Sequence, residues 1–207
     1  MTTDETQPDT GFLRPAPPGP AVEELFADDR AESGYVMNLS HAWAHRPAAQ
    51  AALTDQLRQA AADAGLSYRQ RGILVAAAAS ALGDPHCSLA WGRRLADEAG
   101  DGIAAAVLRG EDGALEPEDR ALARWARQLA RDPSGTTQAH VDALRAAGLD
   151  DAQILSMTVY VALRIAFSTV NDALGARPDV QLVTDAPESV RQAVTYGRSP
   201  AAAPSPG

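Results

Sequence analysis

The stretch Leu66–Gly83, "LSYRQRGILVAAAASALG", leaves the chain little choice of secondary structure. Ser67 and Gln70 have the spacing at which a serine hydroxyl and a glutamine side chain satisfy one another's backbone N–H groups at a helix N-terminus. The alanine-rich apolar run behind them favours helix and shows no strand-like alternation. Gly83 is the residue type that closes a helix. Asp84 and Pro85 follow at once, an N-cap and a first-turn proline, so a second helix begins where the first one stops. Two helices joined by a single tight turn predict an all-α chain.

The same punctuation recurs elsewhere. A helix is predicted over 21–31, broken by Gly34, and another segment runs from Tyr35 to just before Pro47. Further helices are predicted over 48–64, stopped by Gly65, and from Pro85 to near Gly100. Others follow over 117–131 and over 137–147. Asp150 and Gln153 form a second capping box, opening a long apolar helix that ends before Gly175. Residues 1–20 end in "LRPAPPGP" and read as a flexible proline-rich lead. Residues 21–183 read as one helical domain, and 184–207 as a C-terminal tail, largely disordered.

Charge and residue usage narrow the function. The net charge is -9, which disfavours nucleic acid or an anionic membrane as partner. The sequence has no lysine, which removes Schiff-base lysine chemistry and the P-loop. Its single cysteine, Cys87, can form no internal disulfide. The polar, acidic start is unlike a signal peptide, and no apolar run is read as long enough to span a membrane. A cytoplasmic enzyme or binding protein is the expectation.

The segment "LSYRQRGILVAAAASALGDPHCSLAWGRRLA" resembles the core of the carboxymuconolactone decarboxylase/AhpD-like alkylhydroperoxidase superfamily. That core has a glutamate early in one helix, a tight turn, and C-x-x-C-x-x-x-H opening the next helix. The resemblance runs from about Glu23 to Asp179 and is nearest to the peroxidase-related branch. It implies an AhpD-like helical bundle, oligomeric assembly, and a peroxide-attacking role for Cys87, which falls on the second cysteine. His86 falls on the histidine that often precedes it. Asp84 stands where the first, resolving cysteine would be, Trp91 replaces the motif histidine, and Gly72 replaces the relay glutamate.

Read physically, Cys87 sits in the first turn of its helix, where free N–H groups and the helix dipole favour a thiolate. His86 adds to this when protonated, while Asp84 and Trp91 oppose it, so a modest net lowering of the thiol pKa is expected. Asp84 reads as an N-cap or a general base. Gly72 reads as an opening for substrate or for a neighbouring backbone, and Trp91 as core or cavity wall. His41 and His45 share a helix face as a structural pair or as cavity-lining groups, and without a third ligand no metal is expected. Asn171 reads as a hydrogen-bonding group of a cavity or an interface. Arg164 is expected to find Asp172 or another subunit's carboxylate.

The leading functional expectation is a thiol-dependent (hydro)peroxidase with Cys87, His86 and Asp84 catalytic and Trp91, Gly72, His41 and Asn171 around the substrate. It needs an external thiol as reductant and no cofactor. The alternatives are a non-redox lyase- or isomerase-like enzyme acting on a small organic acid through His86, Asp84 or His41, and a non-catalytic oligomeric binding protein. A homo-oligomer is expected in each case.

Overall fold

The structure is a computed structural model and describes residues 10–201. Every regular element among them is helical, as the sequence predicts. In chain order the α-helices are α1 (Pro20–Ser33), α2 (Asn38–Trp43), α3 (Pro47–Asp63), α4 (Tyr68–Leu82), α5 (Pro85–Ala99) and α6 (Asp101–Arg109). They continue with α7 (Pro117–Arg131), α8 (Gln138–Ala146), α9 (Asp151–Ala173), α10 (Val180–Asp185) and α11 (Glu188–Ala193).

α4 is the centre of the bundle. Its residues from Gly72 to Ala79 are all buried, and α5, α6, α7 and α9 pack around it. A helix apolar on every side has no surface to offer water and takes the middle. The run Ala76–Ala79 keeps it slim, so four neighbours can approach it closely. Both capping boxes form as read, at Ser67 with Gln70 and at Asp150 with Gln153.

The turn between α4 and α5 is the device on which the site rests. Gly83 closes α4 with φ of +79°, a left-handed conformation that side chains rarely adopt. Asp84 follows directly, and its Oδ1 accepts the Cys87 backbone N–H at 3.0 Å. Further along α5, Gly92 leaves room for Val190 of α11 and Leu108 of α6, which a Cβ at that position would meet at 2.8 and 2.9 Å.

Several sequence expectations are corrected. No helix is predicted over residues 101–109. They form α6, whose Ala104–Leu108 stretch is buried in the core. The segment beyond 183 is not a disordered tail as far as 201. Val190 is fully buried against the bundle, and the Tyr196 hydroxyl donates to Ser88 at 2.9 Å. Arg177 and Arg198 then hold this strap through the backbone carbonyls of Ser199 and Asp172. The apolar anchors Val190 and Ala193 outweigh the proline and glycine content that suggested disorder. Residues 10–19 carry no regular element and are tied down where Phe12 N–H donates to the Leu174 carbonyl at 2.8 Å. The remainder of both expected flexible ends, 1–9 and 202–207, lies outside the described residues. Finally, α9 is long and apolar enough to cross a membrane by length and composition, contrary to the sequence reading. Here it packs against α3, α4 and α7.

Candidate active site

Cys87 lies one turn into α5, held by the Asp84 cap. Its side chain is buried, yet it forms part of the wall of a cavity of about 360 Å³ between α3, α4, α5 and α9. Behind it Asp84 is almost fully buried and bridges two helices. Its Oδ1 takes the Cys87 N–H, and its Oδ2 takes the Ser168 hydroxyl of α9 at 2.6 Å. A buried carboxylate is tolerated because both oxygens are hydrogen-bonded.

The thiol differs from the sequence expectation. Burial pushes the Cys87 pKa well up, the Asp84 charge pushes it further, and Arg164 and Ser168 pull it back only in part. The Cys87 backbone N–H, one of the helix-end donors expected to favour a thiolate, is taken by Asp84. Desolvation and a neighbouring carboxylate therefore outweigh the dipole, and the resting form is the thiol.

His86, the next residue back, also lines the cavity. Its Nδ1 lies 3.6 Å from Asp179 Oδ2, longer than a hydrogen bond, while Asp179 Oδ1 accepts the Asn38 N–H at 2.8 Å. Burial lowers the imidazole pKa and raises the Asp179 pKa, each against the pull of its partner. Burial therefore favours the neutral form of each group.

The other predicted site residues divide. Trp91 is both core and cavity wall, stacked beneath two arginines: the Arg164 and Arg94 guanidiniums lie 4.6 and 4.9 Å from its ring centroid. Arg164 does not pair with Asp172; it lies over Trp91 and Tyr160 instead. Gly72 is not at the cavity. It faces α5, where its missing Cβ would stand 3.2 Å from the Leu95 Cβ, so it serves close helix packing. His41 lies outside the cavity wall, its ring 5.3 Å from that of Phe26, and burial lowers its pKa. His45 contacts the Arg14 carbonyl at 3.0 Å. No group of three or more histidine, cysteine or acidic side chains among the described residues could hold a metal ion. Asn171 also lies off the cavity, with its Oδ1 accepting the Trp43 indole N–H at 2.9 Å.

Ser168, Tyr160, Arg71, Arg94 and Asp179 are the residues the sequence reading missed as site members. A signal for the first two existed. Tyr160, Arg164 and Ser168 are spaced four apart on α9, so they share one helix face, and Arg164 is the charge that interrupts its apolar run. Cys87, Trp91 and Arg94 share a face of α5 by the same rule.

Comparison with known proteins identifies the fold. No family model matches the sequence, and no curated protein does. Among solved structures, an AhpD-core, uncharacterized peroxidase-related protein from Ralstonia eutropha JMP134 superposes with a TM-score of 0.73 at 21% identity, covering 84% of this chain and 94% of that one. A peroxidase-related protein from Silicibacter sp. TM1040 gives 0.71 at 17% identity over 88% and 97% of the two chains. A cysteine-to-alanine variant of the debrominase Bmp8, in complex with 2,3,4-tribromopyrrole, gives 0.67 at 14% identity over 80% and 89%.

Proposed function

On this AhpD-like scaffold, we propose a single-cysteine oxidoreductase in which Cys87 reduces an organic hydroperoxide. The carrying observation is the placement of the Cys87 side chain in a cavity wall with the Asp84 carboxylate directly behind it. The thiol is protonated at rest, so the reaction begins with its deprotonation on demand, with Asp84 as the acceptor. Sulfur attacks the terminal peroxide oxygen, an S–O bond forms, and the O–O bond breaks. The proton taken from sulfur ends on the departing alkoxide. The products are an alcohol and a Cys87 sulfenic acid. Two equivalents of an external thiol then return the sulfenic acid to thiol, releasing water and the external disulfide. The peroxidase-related neighbours support this reading, and the tribromopyrrole complex supports a small ring compound as the kind of occupant this fold accepts.

The test is consumption of cumene hydroperoxide with excess dithiothreitol as reductant. Wild-type protein should consume it and give a dimedone adduct on Cys87, while Cys87→Ser should do neither. Equal consumption by Cys87→Ser would sink the thiol reading.

A second reading rests on the raised thiol pKa. If sulfur never ionises, His86, which burial inclines to its neutral form, is the proton acceptor facing the cavity, and the chain is a non-redox enzyme acting on a small organic acid. Under that reading His86→Gln abolishes turnover and Cys87→Ser does not.

A further inference from the structure

The protein carries a net charge of -9, yet four arginines line the cavity beside Cys87 against a single acid, Glu32, and of the four only Arg58 pairs with an aspartate, Asp55. Arg71, Arg94 and Arg164 form no ion pair among the described residues, although Arg69, Arg93, Arg127 and Arg145 each pair with an aspartate. Instead their guanidiniums lie over aromatic rings. Arg71 is 5.1 Å from the Tyr68 centroid, and Arg94 and Arg164 are 4.9 and 4.6 Å from that of Trp91. A ring face holds a guanidinium without using its N–H donors, which remain free at its edge.

Buried polar atoms around the same cavity tell the same story. Arg71 Nε, Arg164 Nε and the Tyr160 hydroxyl are buried with no hydrogen-bond partner, and all three residues line the cavity. Tyr160 itself is only 2% exposed. Buried donors are rarely left unmade unless something outside the chain completes them. The same wall also carries the apolar side chains of Leu57, Phe167 and Leu182.

We propose that this cavity binds an organic anion, its acid group held by Arg71, Arg164 and Tyr160 with Arg94 at the rim, and its compact apolar body against Leu57, Phe167 and Leu182. A forked guanidinium matches the two oxygens of a carboxylate. The proposal rests on the reading of this cavity as the substrate site beside Cys87, but not on the redox chemistry.

Benzoate is the probe, titrated calorimetrically against benzamide and inorganic phosphate, with Cys87→Ser protein in parallel. Benzoate should bind wild-type and Cys87→Ser protein alike; benzamide should bind about tenfold or more weakly, the range expected when a charge-assisted hydrogen bond is lost, and phosphate more weakly than benzoate because it has no apolar body for the cavity wall. Arg164→Gln and Arg71→Gln should each weaken benzoate by about tenfold or more at unchanged helix content. Arg94→Gln, an exposed change that leaves the core alone, should weaken it less. Benzoate binding that is absent, or matched by benzamide, or unaffected by all of these variants, overturns the proposal. So does dissociation of an oligomer by Arg94→Gln without any benzoate binding, which would make the arginines an interface. Peroxide turnover failing while benzoate binds would remove the thiol reading and leave this one standing.

Discussion

The Ser168 hydroxyl donates to Asp84 Oδ2 at 2.6 Å, fastening the long helix α9 to the cap of the cysteine helix. The same hydroxyl also lowers the neighbouring Cys87 pKa through its own side-chain hydrogen bond, against the larger upward push of burial. Ser168→Ala should therefore do two things at once. It should cost about 1–3 kcal/mol of stability in urea unfolding, because a buried carboxylate oxygen loses its partner. It should also slow iodoacetamide modification of native Cys87. Unchanged stability would show that Asp84 does not depend on this bond.

The raised thiol fixes the pH behaviour of Cys87. Alkylation of the native protein should keep climbing through pH 9 instead of levelling off at neutral pH, because thiolate is the reactive form. The same measurement on unfolded protein should level off at lower pH. A native profile that is flat above pH 7 would contradict the burial argument.

Asp172 gives the clearest stability signature. Burial, with the Asp84 charge adding and Arg198 opposing, raises its pKa to about 6. The native state therefore holds this proton more tightly than the unfolded chain, so the contribution to stability is present at low pH and is lost as pH rises towards 6. Asp172→Asn removes that loss. Its melting temperature should exceed wild type at pH 7.5, and the advantage should shrink below pH 4. An equal advantage at both pH values would mean that the effect is not titration of this carboxyl.

α9 leaves Leu155 and Val159 exposed, at 65% and 41%, although the helix is buried along its other side. These neighbours, one helical turn apart, present an apolar strip to solvent that a second copy would cover. Sedimentation should show a homo-oligomer, and Leu155→Arg with Val159→Arg should reduce it to monomers with the helix content kept. A wild-type protein that sediments as a monomer would end this expectation.

Much of the fold was legible because helix starts and stops are local. The pairs Ser67–Gln70 and Asp150–Gln153, and the sequence Gly83-Asp84-Pro85, each carry their instruction within a few residues. The helix at 101–109 was not legible, because its glycines argue against it locally and only burial of Ala104–Leu108 argues for it. The same holds for the segment after 183, where Val190 earns its order by fitting beside Gly92. At the site, the sequence placed Cys87, His86 and Asp84 correctly in one turn. It misjudged the thiol because desolvation depends on what α9 brings across, which no local pattern states. Gly72 could not be decided from sequence, since an open wall and a tight helix contact ask for the same residue.

The contacts that complete the site join residues far apart along the chain. Asp84 meets Ser168 across 84 residues, Ser88 meets Tyr196 across 108, and Asn38 meets Asp179 across 141. Helices governed by local signals form early, whereas contacts that close long loops must first overcome the entropy of closing them. The α4–α5 hairpin should therefore exist before its surroundings do, with Cys87 open to reagents during that interval. In a refolding chain, protection of Cys87 from alkylation should lag behind the helix signal. Simultaneous appearance of the two would mean that the distant segments dock in the first cooperative step.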